Sequence, residues 1–160
     1  MTASIRPATS GDDRALAALD RATWSAAASP APVPDPGTAF FSERIAPADT
    51  LVAQRDDELV GYVAFGAPTP LPTNTHVLEI RGLAVAPPAQ CEGIGRLLIE
   101  ALQTEARARD VRRITLRVLA PNASARALYS RCGFVEEGIL RGEFLLAGEF
   151  VDDVLMARVV

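Results

Sequence analysis

Lysine is absent from the 160 residues, and all sixteen basic side chains are arginine. Cysteine and histidine are nearly absent, at two residues and one. Two cysteines, Cys91 and Cys132, cannot build the disulfide framework of a small secreted protein, and a reducing cytoplasm fits them best. One histidine excludes a metal site made of several imidazoles, and no metal is expected. No apolar run approaches the ~18 residues needed to cross a bilayer, and MTASIRPATSGDD carries no basic stretch followed by an apolar one, so neither membrane nor secretion is expected. A net charge of −4, a pI near 5.0 and the lack of a dense basic run remove the footprint of a nucleic-acid binder. What is present is ample apolar material, 49% of residues against 22% charged. That balance excludes disorder and predicts one domain over residues 1–160.

The chain carries no internal repeat. Two proline-rich stretches, 29–37 and 67–75, cannot continue helices, because each proline removes an amide donor and restricts its predecessor; they are loops within the domain. Residues 4–6 read as a short strand, followed by a helix capped by Asp12 or Asp13 with Ala15, Leu16 and Leu19 on its apolar stripe. A second short helix is predicted over 38–45. Residues 51–54 and 59–65 flank Arg55-Asp56-Asp57-Glu58 as a hairpin. Residues 77–85 form a long strand, and Leu97, Leu98, Ala101, Leu102 and Ala106 mark one face of a helix from 94 to about 109. Ile114, Leu116 and Val118 alternate with Thr115 and Arg117 in another strand. Pro121-Asn122 opens a helix carrying Ala125, Leu128, Tyr129 and Cys132, and Gly133 stops it. Residues 134–144 and 150–159 close the chain as two strands. The class is mixed α/β.

The segment Gln90-Cys91-Glu92-Gly93-Ile94-Gly95-Arg96 lies between a strand and an amphipathic helix. Such a turn presents unpaired amides, glycine lets an anion approach them, and the helix dipole adds about half a positive charge, so phosphate is the expected ligand. No third glycine completes a dinucleotide fingerprint and no Gly-Lys-Ser/Thr follows for a nucleotide P-loop. Taken alone, two glycines at a helix start equally describe a structural turn. Arg81-Gly82-Leu83-Ala84-Val85 precedes this segment; Asn122-Ala123-Ser124-Ala125-Arg126-Ala127-Leu128-Tyr129 and Cys132-Gly133-Phe134 follow the next strand. In that order and spacing the chain, over roughly residues 77–137, resembles the GNAT superfamily of N-acetyltransferases, whose acetyl-CoA motif is Gln/Arg-x-x-Gly-x-Gly/Ala.

The resemblance implies a mainly antiparallel sheet in which the parallel strands 77–85 and 113–119 splay apart to admit pantetheine. It implies that Gln90 opens the motif, that the amides of Cys91, Glu92, Gly93, Ile94, Gly95 and Arg96 hold the CoA pyrophosphate, and that the pantetheine arm runs along Leu83, Ala84 and Val85 like an added strand. Asn122 contacts the arm on the same grounds, and is also an ordinary N-cap. Glu92 departs from relatives that are often basic there, and a carboxylate beside a pyrophosphate is unfavourable unless it turns to solvent.

Acetyl transfer to an amine has two proton problems: the ammonium must lose a proton and the departing thiolate must gain one. A tyrosine with pKa near 10 is still protonated at neutral pH. The resemblance puts Tyr129 in that role, against the alternative of a core aromatic. Glu79 interrupts the apolar run Val77, Leu78, Ile80. It is either half of an ion pair with Arg81 on the same strand face or, at the interval from Gln90 found in histone-acetylating members, the base. His76 reads as a loop-end residue. The loop 29–37, Arg141, Glu149, Asp152 and Asp153 border the acceptor side in the implied fold. The predicted activity is acetyl transfer from acetyl-CoA to a primary amine of a small, amino-acid-like molecule, directly in a ternary complex. Protein N-terminal acetylation and a non-catalytic acyl-CoA sensor are the alternatives, and a homodimer is left open.

Overall fold

The computed structural model describes residues 2–160, as a seven-stranded sheet with three α-helices. In chain order the elements are β1 (Ser4–Pro7), α1 (Asp13–Thr23), β2 (Thr50–Arg55), β3 (Glu58–Gly66), β4 (Val77–Val85), α2 (Ile94–Ala108), β5 (Arg113–Leu119), α3 (Ala123–Arg131), β6 (Val135–Leu146) and β7 (Glu149–Val159). The spatial order is β1-β2-β3-β4-β5-β7-β6, and every neighbouring pair is antiparallel except β4 with β5.

Alternation along the strands assigns the two faces. Leu51, Val63, Phe65, Leu78, Ile80, Ile114, Leu116, Val118, Val154 and Met156 turn to one face, where α2 and α3 cover them with Leu98, Ile99, Leu102 and Tyr129. Val52, Tyr62 and Ala64 turn to the other, where α1 packs Leu16 and Leu19 and the following loop adds Phe40. On that second face β5 presents Thr115 and Arg117, the polar half of its alternating sequence.

The helix expected over 38–45 does not form. The Phe41 amide donates to Asp13 Oδ1 at 2.8 Å, Ser42 and Ile45 bond each other, and Phe40 packs edge-on against Tyr62 with centroids 4.8 Å apart. A carboxylate from α1 has taken the amide a helix would need, and burial of Phe40 holds the segment irregular. The hairpin expected around Asp56-Asp57 is present, with both residues at positive φ (47° and 66°) as a tight two-residue turn requires.

Arg6 on β1 grips Asp12, just ahead of α1, through two bonds of 2.8 and 2.9 Å, and the Thr9 amide adds a third at 2.8 Å. The guanidinium bond holds the Asp12 pKa down to about 2. A carboxylate depressed in the folded state stabilises above its unfolded pKa, near 4, and that contribution disappears as pH falls through about 2. Solvent at the partly exposed Arg6 screens the pair, so Asp12→Asn is expected to cost about 1–2 kcal/mol at pH 7. At pH 2 the cost should shrink to a small fraction of that; denaturant unfolding of both proteins at the two pH values measures it, and equal stability at pH 7 would discard the contribution.

Candidate active site

The parallel pairing of β4 with β5 covers only Val77↔Arg113, Leu78↔Ile114 and Glu79↔Thr115. Beyond Glu79, β4 continues against β3 as far as Val85↔Gly61, while β5 continues against β7 as far as Leu119↔Asp153. The two strands therefore part, as expected, and the cause is visible in the register. Ala64 faces Gly82 but Phe65 faces Ile80, so Arg81 is an extra residue on β4. A bulge bends and twists its strand, and this one lies immediately past the last β4–β5 pair. The edge of β4 from Ile80 to Val85 is left without a partner on the β5 side, which is the kind of edge that an extended amide chain can join as an additional strand. Leu83, Ala84 and Val85 lie along it.

The turn leading to α2 follows directly. Gln90 Nε2 donates to Val85 O at 3.0 Å, tying the turn to the end of β4. Cys91 and Gly93 both have left-handed backbones, with φ of 63° and 83°. A left-handed cysteine is a costly conformation of the sort that gathers at ligand sites. The first α2 bond runs from the Leu97 amide to Gly93 O at 3.0 Å, so the amides of Ile94, Gly95 and Arg96 ahead of it have no intrahelical acceptor. A Cβ on Gly93 would meet nothing within 4 Å, whereas one on Gly95 would lie 2.9 Å from Leu128 Cδ2. Gly93 supplies the left-handed turn before an open space, and Gly95 lets α2 approach α3. Glu92 forms an ion pair with Arg55 from the β2–β3 hairpin. Its carboxylate is drawn off and compensated, which removes the conflict its sequence position implies. Asn122 caps α3, its Oδ1 accepting from the Ala125 amide at 3.3 Å, so its Nδ2 remains for a ligand. Free amides, a compensated acid and an unpaired strand edge fit acetyl-CoA.

Tyr129 is buried on the α2/α3 face, its ring 5.7 Å from that of Phe134. Burial, helped by nearby Cys132, pushes its phenol well above the ordinary tyrosine pKa. Glu79, between inward-facing Leu78 and Ile80, points to the opposite face. The ion pair that Glu79 could have made with Arg81 is not formed. Arg81 instead donates to Ala67 O at 2.7 Å and to Arg44 O, bracing the loops on either side. The Glu79 carboxylate, half-buried, makes no side-chain hydrogen bond or salt bridge among the described residues, and it stands at the last residue before the strands separate. His76 ends a loop, its carbonyl accepting from the Arg112 and Arg113 amides.

Two arrangements on the Glu79 face escape sequence reasoning. Tyr62 donates to Asp20 Oδ1 at 2.6 Å, and a Cβ on Gly82 would sit 3.3 Å from that hydroxyl. Burial, with Asp20 beside it, drives the Tyr62 pKa far up. Arg117 donates through Nε to Asp153 Oδ2 at 2.5 Å. The adjacent Asp152 and Asp153 within β7 were the only signal of either pair. Among the acceptor-side candidates, Asp152 is occupied by the Gly142 amide at 2.8 Å, which holds a bulge in β6. Among the described residues no group of three or more His, Cys, Asp or Glu side chains is placed to hold a metal, and no helix is long and apolar enough to cross a membrane.

The family model described as the acetyltransferase (GNAT) family matches residues 14–134. The chain is 31% identical over 139 residues to the phosphinothricin N-acetyltransferase of Alcaligenes faecalis, a match covering 76% of this chain and 70% of that one. It is 41% identical over 75 residues to the [ribosomal protein bS18]-alanine N-acetyltransferase of Salmonella typhimurium, covering 47% of this chain and 51% of that one. A solved structure from Streptococcus mutans superposes with a TM-score of 0.85 at 29% identity, covering 98% of each chain.

Proposed function

The chain belongs to the GNAT acetyltransferase family and is an acetyl-CoA-dependent N-acetyltransferase; from that premise we propose that it acetylates a primary amine of a small, amino-acid-like molecule by direct transfer in a ternary complex. The observation that carries this reading is that Glu79 stands half-buried and without a side-chain partner among the described residues where β4 and β5 part, while Tyr129 packs on the opposite face of the sheet. One face then serves the thioester and the other the acceptor. Acetyl-CoA supplies an activated acyl group; the chain's own residues hold it and manage two protons. The amides from Cys91 to Arg96 bind the pyrophosphate, the β4 edge from Leu83 to Val85 and Asn122 hold the pantetheine, and Gln90 braces the turn. Glu79 takes the ammonium proton, directly or through water. Tyr129, kept protonated by burial, gives its proton to the departing sulfur as the C–S bond breaks, and the second proton that the nitrogen sheds as the amide forms restores the phenol. Cys132 is buried and its thiol is raised by that burial, the reverse of what a nucleophilic cysteine needs, which supports transfer without an acyl-cysteine.

Two points favour a small acceptor. The phosphinothricin relative matches over most of both chains, whereas the ribosomal-protein relative matches over about half of each. Two exposed pairs, Arg117 with Glu143 and Arg141 with Asp152, join opposite charges, so these four side chains supply no track of one sign for a peptide. The absence of lysine makes the test clean, because the enzyme carries no lysine amine to acetylate itself. A thiol-release assay over amino acids, polyamines, aminoglycosides and peptides, with intact-mass analysis of the enzyme, should show turnover of a small amine without a self-acetylation ladder. If only peptides with a free N-terminus react, the acceptor is a protein. Tight CoA binding with no transfer to any amine would instead favour the sensor.

A further inference from the structure

On the Glu79 face Arg117 is held at one end by a buried carboxylate and meets only a loose contact at its outer end. It is two residues beyond Thr115, the residue paired with Glu79, and alternation puts all three on the same face of the sheet. Arg117 thus stands on the β5 bank of the cleft just where β4 leaves. Its Nε is fixed by Asp153, whose side chain is only 4% exposed, while Arg117 itself is 45% exposed. Nη2 meets Glu143 Oε1 at 3.5 Å, a rim contact at the limit of a hydrogen bond, and Nη1 has no partner among the described residues. Desolvation of the buried Asp153 carboxylate offsets much of what its half-exposed partner returns, so the pair adds little net stability and packing does not account for it. What the pair does achieve is a guanidinium fixed at Nε by a carboxylate of β7, with Nη1 unpartnered among the described residues.

We propose that Arg117, oriented by Asp153, binds an anionic group of the acceptor, a carboxylate or an oxyanion of similar shape, and so selects amines that carry a negative charge a few bonds from the nitrogen. The inference rests on the small-amine reading above and narrows it. An arginine presents paired N–H groups that match a carboxylate in the plane, and the strand rise of about 3.3 Å per residue separates Arg117 from the Glu79 level by a distance that a small zwitterion can bridge. An anion reaching Nη1 and Nη2 would displace Glu143, which is exposed and free to turn into solvent. Arg117 is a specificity-determining residue in this scheme, and Asp153 positions it.

The test compares free amino acids with their own carboxamides as acceptors, in the wild type, in Arg117→Lys and in the double variant Arg117→Met/Asp153→Asn. The double variant leaves no buried charge unpaired. The readout is the ratio of kcat/KM for acid and amide on the same protein, which loss of folded enzyme does not move. The wild type should prefer the acid at least tenfold. The ratio should fall to about one in the double variant and to an intermediate value in Arg117→Lys, which keeps the charge and loses the fork. A wild-type ratio near one, or a preference that survives the double variant, overturns the role of Arg117 and leaves the small-amine reading standing. Turnover confined to small amines without an anionic group does the same. Turnover of peptides alone overturns both.

Discussion

Tyr129→Phe is expected to lower kcat by about 100-fold or more while the Michaelis constant for acetyl-CoA moves by less than about twofold, the range found when a positioned proton donor is lost. The substitution keeps the ring that packs on Phe134 and removes only the hydroxyl, so the fold has little reason to change. Burial holds the phenol protonated beyond the ordinary tyrosine value of about 10, so a fall in kcat as pH rises towards 10 cannot come from its ionisation. Steady-state thiol release across pH 6 to 10 measures both points. A wild-type kcat in the variant would remove Tyr129 from the mechanism and return it to the core.

The second large effect concerns the phosphate turn. Gly93→Val should raise the CoA dissociation constant at least tenfold, because Gly93 holds a φ of 83° that a β-branched residue strongly resists. Re-forming the turn would swing the amides of Ile94 to Arg96 away from the pyrophosphate they are proposed to hold. The space around the position is open, so the loss should appear in binding more than in thermal stability. Gly95→Val differs: its new side chain would run into Leu128, and it should weaken the α2–α3 contact and CoA binding together. Calorimetric titration with CoA, beside thermal unfolding, separates the two. Unchanged affinity in Gly93→Val would refute the phosphate assignment.

Local order in this chain determined a good deal by itself. Period-two alternation in Ile114 to Val118 specifies a strand with one wet face, because successive side chains leave a strand on opposite sides whatever surrounds it. Leu98, Leu102 and Ala106 specify the buried stripe of α2 for the same reason at helical spacing, and the glycines and Asn122 mark turn and cap through backbone preferences. The order of these elements around the Gln90 to Gly95 motif was enough to indicate the family. What only the tertiary structure decided are interactions between groups far apart in the chain. The Asp13 carboxylate, 28 residues away, captured the Phe41 amide and cancelled a helix. Arg55, 37 residues from Glu92, paired the carboxylate in the turn ahead of α2. Arg81 turned to the carbonyls of Arg44 and Ala67 and left Glu79 free, and Asp153 reached across from β7 to orient Arg117. Each of these depends on which strand lies beside which and on a one-residue bulge. A pattern of side-chain types records neither, since a charge has no preferred partner until the fold brings one within reach.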